Sequence, residues 1–191
     1  MKIALAFLVV WVSTALAAVD KGPESNRVSE RYYTESQARD LAFGPGRLWR
    51  DTLIRVDSAA RDGLYRAAGL LESDSVVRLR YTVDSSGAPA GAYRVASEVG
   101  KYLPFEFLVA VDNRGRVKDV VVMNYGESRG GEVRRERFLQ QYRGKSVNSP
   151  VRLNRDILGI AGATLSAWAV NRGVKKTLWW HDRVFPLGAK P

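Results

Sequence analysis

Cysteine is absent from the 191-residue chain, and histidine occurs once, as His181. The lack of thiols excludes disulfide frameworks, zinc–thiolate sites, iron–sulfur clusters, thiol catalysis and a lipoprotein anchor. With one imidazole, neither a His-rich metal site nor a haem with two histidine ligands can form. Any chemistry must therefore use oxygen and nitrogen side chains or a bound cofactor.

Long apolar runs are missing as well, except at the amino terminus. Lys2 precedes the apolar stretch Ile3 to Val12, and Ala15-Leu16-Ala17 fits the small-x-small pattern of a cleavage site. We therefore predict a signal peptide at residues 1–17, with an uncleaved N-terminal anchor as the alternative. In either case we expect the rest of the chain in the periplasm or on the extracytoplasmic face of the membrane.

Acidic residues are scarce in the second half of the chain. Residues 113–191 hold 16 basic and 6 acidic residues, whereas residues 18–112 hold 13 and 14. Nucleic acid is not an expected partner for an exported protein, although a basic half often indicates one. Anionic lipid headgroups at a membrane surface, an acidic protein or a bound phosphate cofactor fit better. A solvated basic face without a partner remains the alternative.

Hydrophobic periodicity and turn residues predict an α+β fold, with an antiparallel sheet flanked by helices. The predicted strands are Leu53–Val56, Val76–Val83, Ala92–Ala96, Phe105–Val111 and Val117–Met123. The predicted helices are Glu35–Ala42, Ala59–Ala68 with Ser58 as its cap, Glu132–Tyr142, and Ala163–Lys176 with an apolar stripe of Ala163, Ala167, Val170 and Val174. After a linker at residues 18–34, we expect residues 35–99 and a core at residues 100–180 to form one compact domain, followed by a tail at residues 181–191.

The segment from Leu158 to Ser166 carries the strongest indication of a ligand site. Gly162 and Ala163 allow close approach of the backbone, and Thr164, Leu165 and Ser166 lie in or beside the first turn of the predicted helix. Free N–H groups and the positive end of the helix dipole make such a turn suitable for a phosphate. Tight packing with a Ser or Thr cap is the alternative explanation of the same residues.

The run Gly162-Ala163-Thr164-Leu165-Ser166 resembles the Ser-Gly-Ala-Thr-x-Ser/Thr motif of FMN-binding domains. Such domains occur in the Rnf electron-transport complex (its G subunit), in the sodium-translocating NADH:quinone reductase (its C subunit) and in NosR-type proteins. In that family a flavin transferase esterifies the motif threonine with the phosphate of FMN outside the cytoplasm. The resemblance therefore implies FMN on Thr164, with Ser166 and the N–H groups of the helix start holding the phosphate.

The resemblance covers about residues 100–176. Its further matches are Leu108 to Asp112, Gly115-Arg116-Val117, Glu127-Ser128-Arg129-Gly130-Gly131, Phe138, Gln141-Tyr142 and Gly144-Lys145. By this likeness the loop at Glu127 and Ser128 lies against the isoalloxazine or ribityl chain of the flavin. Two positions depart from the family pattern: Ala161 replaces a usual serine and Leu158 a common aspartate, while Asp156 lies two residues earlier.

The remaining candidate residues favour structural roles. We predict His181 to be an ordinary surface histidine and the pair Trp179-Trp180 to pack in the core. The pairs Arg134-Arg135 and Lys175-Lys176 are predicted to be solvated helix positions. No triad or metal cluster is evident in the sequence.

These observations predict an electron-transfer flavoprotein, an electron carrier rather than an enzyme, that receives electrons from a membrane-bound redox partner. The alternative is a module that binds FMN noncovalently, or binds no flavin, and regulates a membrane partner. A protein that binds polyanions or lipids ranks third, and a free-standing reductase of a small molecule ranks last.

Overall fold

The computed structural model describes residues 30–186 of the chain. The predicted signal segment at residues 1–17 and residues 18–29 of the predicted linker lie outside the described residues, as do residues 187–191 of the predicted tail. Within the described range no helix combines the length and apolar character that crossing a membrane requires.

Seven strands and four α-helices make up the described part of the chain. In chain order they are β1 (Glu30–Arg31), α1 (Glu35–Phe43), β2 (Arg50–Arg55), α2 (Ser58–Ala68), β3 (Val76–Val83), β4 (Pro89–Val99), β5 (Pro104–Asp112), β6 (Val117–Val122), β7 (Asn124–Tyr125), α3 (Glu136–Leu139) and α4 (Thr164–Val184). Short 3-10 turns at Gly131–Arg134 and Gln140–Tyr142 flank α3.

The central sheet is an antiparallel meander in the order β2-β3-β4-β5-β6. Strand β5 pairs with β4 from Val99↔Pro104 to Gly91↔Asp112, and with β6 on its other edge. A separate two-stranded ladder joins β1 to β7. The structure thus confirms the predicted α+β fold with an antiparallel sheet flanked by helices.

Both faces of the sheet are covered, because β5 is apolar at successive positions and so presents apolar side chains on each side. Phe105, Phe107 and Val109 point to one face and pack against α4. Leu108 and Ala110 point to the opposite face and pack against α1. A third apolar cluster joins α2 and β3 to the carboxyl half of α4 around the fully buried Trp180, which confirms that this tryptophan is a core residue.

Helix α4 carries the predicted apolar stripe, since Ala163, Ala167, Val170 and Val174 are all buried. Between these positions Gly173 brings the helix backbone against the sheet. A Cβ atom built on Gly173 would lie 2.4 Å from Cζ of Phe107 and 3.1 Å from Cβ of Ala96. Glycine is therefore required at this position by the close approach of α4 to β5 rather than by its backbone angles.

Several predicted elements needed correction. Helix α2 is capped by Asp57, not Ser58, because the Asp57 carboxylate accepts a hydrogen bond of 2.7 Å from the N–H of Ala60. The single helix predicted for residues 132–142 is instead two 3-10 turns around α3, because the backbone of Arg135 is extended (φ −68°, ψ 134°). Helix α4 continues through Val184, so the first residues of the predicted tail are helical.

The prediction that Lys176 is solvated was wrong. Its ammonium is buried 2.8 Å from Glu98 and 3.9 Å from Glu72, and Glu72 in turn pairs with Arg94 at 3.1 Å. The Trp180 Nε1–H donates a hydrogen bond of 3.1 Å to the same Glu72 carboxylate. Charges buried in this way are stable in a fold only when each one is paired, as these are.

The prediction that His181 is a surface residue was also wrong, because α4 continues past it and buries its ring. Only 5% of His181 is exposed, and its ring lies 5.3 Å from that of Phe185. Burial lowers the pKa of His181 to about 4, although the charges of Asp182 and Asp112 favour the protonated form. The imidazole is therefore neutral at physiological pH.

We expect Gly173→Ala to destabilise the protein by about 1–3 kcal/mol, because the new methyl group overlaps a fully buried Phe107 ring. In an exposed helix the same change would stabilise by about 1 kcal/mol. Chemical denaturation measures the difference. Phe107→Leu makes room for the methyl group, so the double variant should lose less stability than the two single variants summed; a strictly additive loss would contradict the overlap.

We expect His181 to make the protein less stable in acid. The unfolded chain binds a proton near the ordinary histidine pKa, whereas the folded chain binds it only near pH 4. Stability from the neutral ring is complete above about pH 6.5 and falls by about 3 kcal/mol as the pH drops to 4. Denaturation of wild type and His181→Gln across this range should show the variant with the smaller loss; parallel curves would contradict the prediction.

Candidate functional site

The start of α4 and the loop before it are held on the body of the domain by side chains from the preceding segment. The Gln141 amide brackets Leu158: its Oε1 accepts from the Leu158 N–H at 2.7 Å, and its Nε2 donates to the Leu158 carbonyl at 3.2 Å. Gly162 adopts a positive φ of 79°, which favours glycine, and Ala163 behind it is buried. The loop is thus positioned by its backbone, while the Leu158 side chain is exposed.

Asp156 organises the base of the same loop. It accepts hydrogen bonds from the N–H groups of Val151 and Arg152 at 3.1 and 2.8 Å, and pairs with the Lys145 ammonium at 2.9 Å. Burial by itself raises its pKa, but the Arg152 amide and the Lys145 charge hold the pKa of Asp156 below its ordinary value. Lys145, the lysine of the predicted Gly-Lys pair, therefore has a structural partner.

Thr164 is the first residue of α4, and its side chain is exposed. Ala163 occupies the cap position and no side chain caps the helix. The first N–H groups of an α-helix have no acceptor within the helix, so this uncapped start offers donors and partial positive charge to an anion. An exposed hydroxyl therefore lies beside a region suited to a phosphate.

Ser166 faces inward and not toward solvent. It is buried, and its Oγ lies 2.7 Å from the Tyr125 hydroxyl. Tyr125 donates its own proton to the Arg129 carbonyl at 2.7 Å, so the Ser166 hydroxyl donates to Tyr125. Burial raises the pKa of Tyr125, which keeps this phenol protonated. Ser166 thus ties α4 to the loop after β7 and has no proton left for a ligand.

Glu127 also makes contacts within the protein. Its Oε1 accepts hydrogen bonds from the N–H groups of Lys101, Tyr102 and Leu103, at 2.8, 2.7 and 2.9 Å. Such charge-assisted bonds are among the stronger ones in proteins. The carboxylate therefore fixes the turn between β4 and β5, while the neighbouring Ser128 is exposed.

The predicted site residues come together at one end of the domain through these contacts. A Cβ atom built on Gly130 would lie 2.4 Å from the Tyr125 hydroxyl and 2.6 Å from Ser166 Oγ. One built on Gly100 would lie 2.9 Å from Glu127 and 3.4 Å from Ser166 Oγ. Both glycines leave room for the hydrogen bonds that join the loop at residues 126–130, the turn at residues 100–103 and the start of α4.

Sequence reasoning missed Tyr125, Gly100 and the turn at residues 100–103. Nothing local marks Tyr125, because its role depends on a serine 41 positions later. The glycine at 130 lies in the Glu-Ser-Arg-Gly-Gly run, so its positive φ of 92° was accessible from sequence, but its contact with Ser166 was not.

The site is a surface feature rather than a deep cleft. Three clefts of about 380–400 Å³ are present in the described part of the domain, and none of these three is lined by Thr164. Two apolar side chains beside Thr164 on the same helix, Leu165 and Trp168, are half exposed. Among residues 30–186 no group of three or more acidic or histidine side chains is arranged to hold a metal ion.

Comparison with known families agrees with this geometry. Residues 100–178 match the model of the FMN-binding domain. This part of the chain therefore belongs to the FMN-binding domain family, which confirms the resemblance drawn at residues 100–176, and its cofactor is FMN. The matched range runs from the turn held by Glu127 to the carboxyl half of α4.

Two solved structures are similar to the chain. NqrC of Shewanella oneidensis shares 18% identity, over 76% of this chain and 88% of that one, with a TM-score of 0.47. The corresponding polypeptide of the Na(+)-translocating NADH-quinone reductase from Parabacteroides distasonis shares 17% identity, over 74% and 79%, with a TM-score of 0.48. No curated protein has a significant sequence match to the chain.

We expect Glu127→Ala to destabilise the protein by about 2 kcal/mol, because three backbone N–H groups lose a charged acceptor. Amide hydrogen exchange at residues 101–103 should become faster than elsewhere in the sheet. Ser128→Ala, at the exposed neighbouring position, is the matched control and should change neither quantity. Unchanged exchange at residues 101–103 in Glu127→Ala would show that these bonds are not formed in solution.

Proposed function

We propose that this protein is an extracytoplasmic electron carrier that holds FMN through a phosphoester to Thr164 and relays electrons from a membrane-bound reductase. The observation that carries the proposal is the exposed Thr164 hydroxyl at an uncapped helix start, inside the range that matches the FMN-binding domain. The predicted signal segment at residues 1–17 supports the location. FMN supplies the redox chemistry when bound, and the protein supplies orientation and electrostatics.

The residues present fit the phosphate of FMN. The N–H groups of the first turn of α4 have no side-chain cap to compete with a ligand, and Thr164 Oγ is exposed beside them. The ester forms between Thr164 Oγ and the flavin phosphate with formal loss of one water. A flavin transferase is the partner expected to carry out this step, because no general base lies within hydrogen-bond distance of Thr164 among the described residues.

The other predicted site residues act on the supporting backbone. Ser166 and Glu127 hold the start of α4 against the two neighbouring segments through the bonds to Tyr125 and to the turn at residues 101–103. The exposed faces of these segments carry Ser128 and Trp168. We assign Gly162, Ala163 and Leu165 to the phosphate end of the site, since they surround Thr164 in the chain. Lys101 and Arg129 lie on the flanking segments and contribute positive potential, which favours the anionic reduced flavin.

A regulatory module that binds FMN noncovalently is the second candidate. It is favoured by one observation: Leu158 is 75% exposed and Ala161 is also exposed, so neither position gives a transferase or a ligand a polar side chain. The backbone bracket from Gln141 keeps the loop in place without them.

We expect the protein, secreted from cells that co-express a flavin transferase, to gain the mass of FMN less one water. Thr164→Val should show no gain and Thr164→Ser a partial one, because only the serine keeps a hydroxyl at this position. Intact-mass spectrometry measures both, and Ser128→Ala serves as a control with the full gain. FMN that copurifies without a mass gain in wild type would contradict the ester and support the noncovalent module.

A further inference from the structure

A cleft away from Thr164 has the composition of an anion site. It lies between the last residues of α2, the segment at residues 146–155 and the carboxyl half of α4, and has a volume of about 400 Å³. We call it the basic cleft; its polar and aromatic lining includes Ser146, Ser149, Arg152, Arg155, Lys175 and Trp179. Its volume falls within the range of small-molecule sites.

Three cations line the basic cleft and none has an acidic partner. Within residues 30–186 no carboxylate lies within ion-pair distance of Arg152, Arg155 or Lys175. The adjacent Lys176 shows the contrast, since it points into the core and pairs with Glu98 at 2.8 Å. The three cations therefore repel one another across the cleft with no compensating charge from the described part of the protein.

The cleft also removes water from one of these cations. Burial, followed by the charge of Arg152, lowers the pKa of Lys175 below its ordinary value. A partly desolvated ammonium beside a guanidinium is a costly arrangement unless an anion joins it. The lining residues thus favour a bound negative charge more strongly than a solvated basic face does.

The acidic and dipolar groups near the cleft are already occupied. Asp156, the carboxylate whose charge reaches Lys175, is engaged by Lys145 and by two backbone N–H groups. The carboxyl end of α2 carries partial negative charge, but Gly69 N–H caps the carbonyl of Tyr65 there. Neither feature neutralises the three cations.

We propose that the basic cleft binds a phosphate group, held between Arg152, Arg155 and Lys175. A guanidinium presents parallel N–H donors that match phosphate oxygens, and an ammonium adds a compact charge. The Ser149 hydroxyl accepts from the Ser146 N–H, so its own proton is available to a phosphate oxygen. Trp179 and Ala68 form an apolar wall that suits the organic part of a phosphate ester.

This site is separate from the proposed flavin site. Thr164 and Lys175 are eleven residues apart on α4, which corresponds to ~16 Å along the helix axis. One phosphate cannot occupy both ends, and the two proposals can fail independently. The bound group is either a free phosphate compound or the headgroup of an anionic lipid, and both present the same oxyanion to the cleft.

Isothermal titration of the full chain with inorganic phosphate at low salt is the first arm of the test. We expect saturable binding that Lys175→Met and Arg152→Gln/Arg155→Gln each weaken by about tenfold or more. Lys175→Arg should retain most of the affinity, because it restores the charge. Arg114→Gln removes one charge from an exposed turn outside the cleft and is the matched control. Thermal denaturation of each variant checks that the fold is retained.

Cosedimentation with phosphatidylglycerol/phosphatidylcholine vesicles is the second arm, with pure phosphatidylcholine as reference. Phosphate binding lost in the cleft variants identifies a free phosphate compound, whereas vesicle binding lost in them, without phosphate binding, identifies a lipid headgroup. Either result supports the site. Absence of both kinds of binding, or an equal loss in Arg114→Gln, would overturn the proposal, because it would leave only the net charge of the chain.

Discussion

The close packing of α4 on β5 is the contact on which the rest of this domain depends. Gly173 lets the helix backbone meet the Phe107 ring, and the small residues Ala167 and Ala163 continue this contact toward the amino end of the helix. A helix held so closely has a fixed axis and rotation. Its buried face determines that Thr164 emerges at the surface, while Ser166, two positions on, faces the interior.

Hydrogen bonds to backbone groups, more than a shaped cavity, organise the neighbourhood of Thr164. Glu127 fixes the turn after β4, the Tyr125–Ser166 pair fixes the loop after β7, and Gln141 fixes the loop before α4. Each of these bonds joins segments that are far apart in the chain. A cofactor attached covalently needs little enclosure to remain bound, so a rigid and exposed attachment point is consistent with a carrier that must meet redox partners at its surface.

The positive charge of the protein is divided into two kinds by burial. Arg94 and Lys176 are paired with Glu72 and Glu98 inside the domain, where an unpaired charge would be strongly destabilising. Lys175 and its neighbours in the basic cleft lack such partners, which makes them available to an external anion. Two adjacent lysines thus differ in function because successive residues of a helix point about 100° apart.

The sequence by itself determined the sheet, the helices with clear periodicity and the Thr164 motif, because these depend on local patterns. The apolar run of β5, the stripe of α4 and the glycines before Thr164 are all readable along the chain. Tertiary structure alone decided that His181 and Lys176 are buried, that Ser166 bonds Tyr125, and that Glu127 serves three amides of a distant turn. Those roles depend on which segments meet in space, and pairing between distant residues leaves no local signal in one sequence.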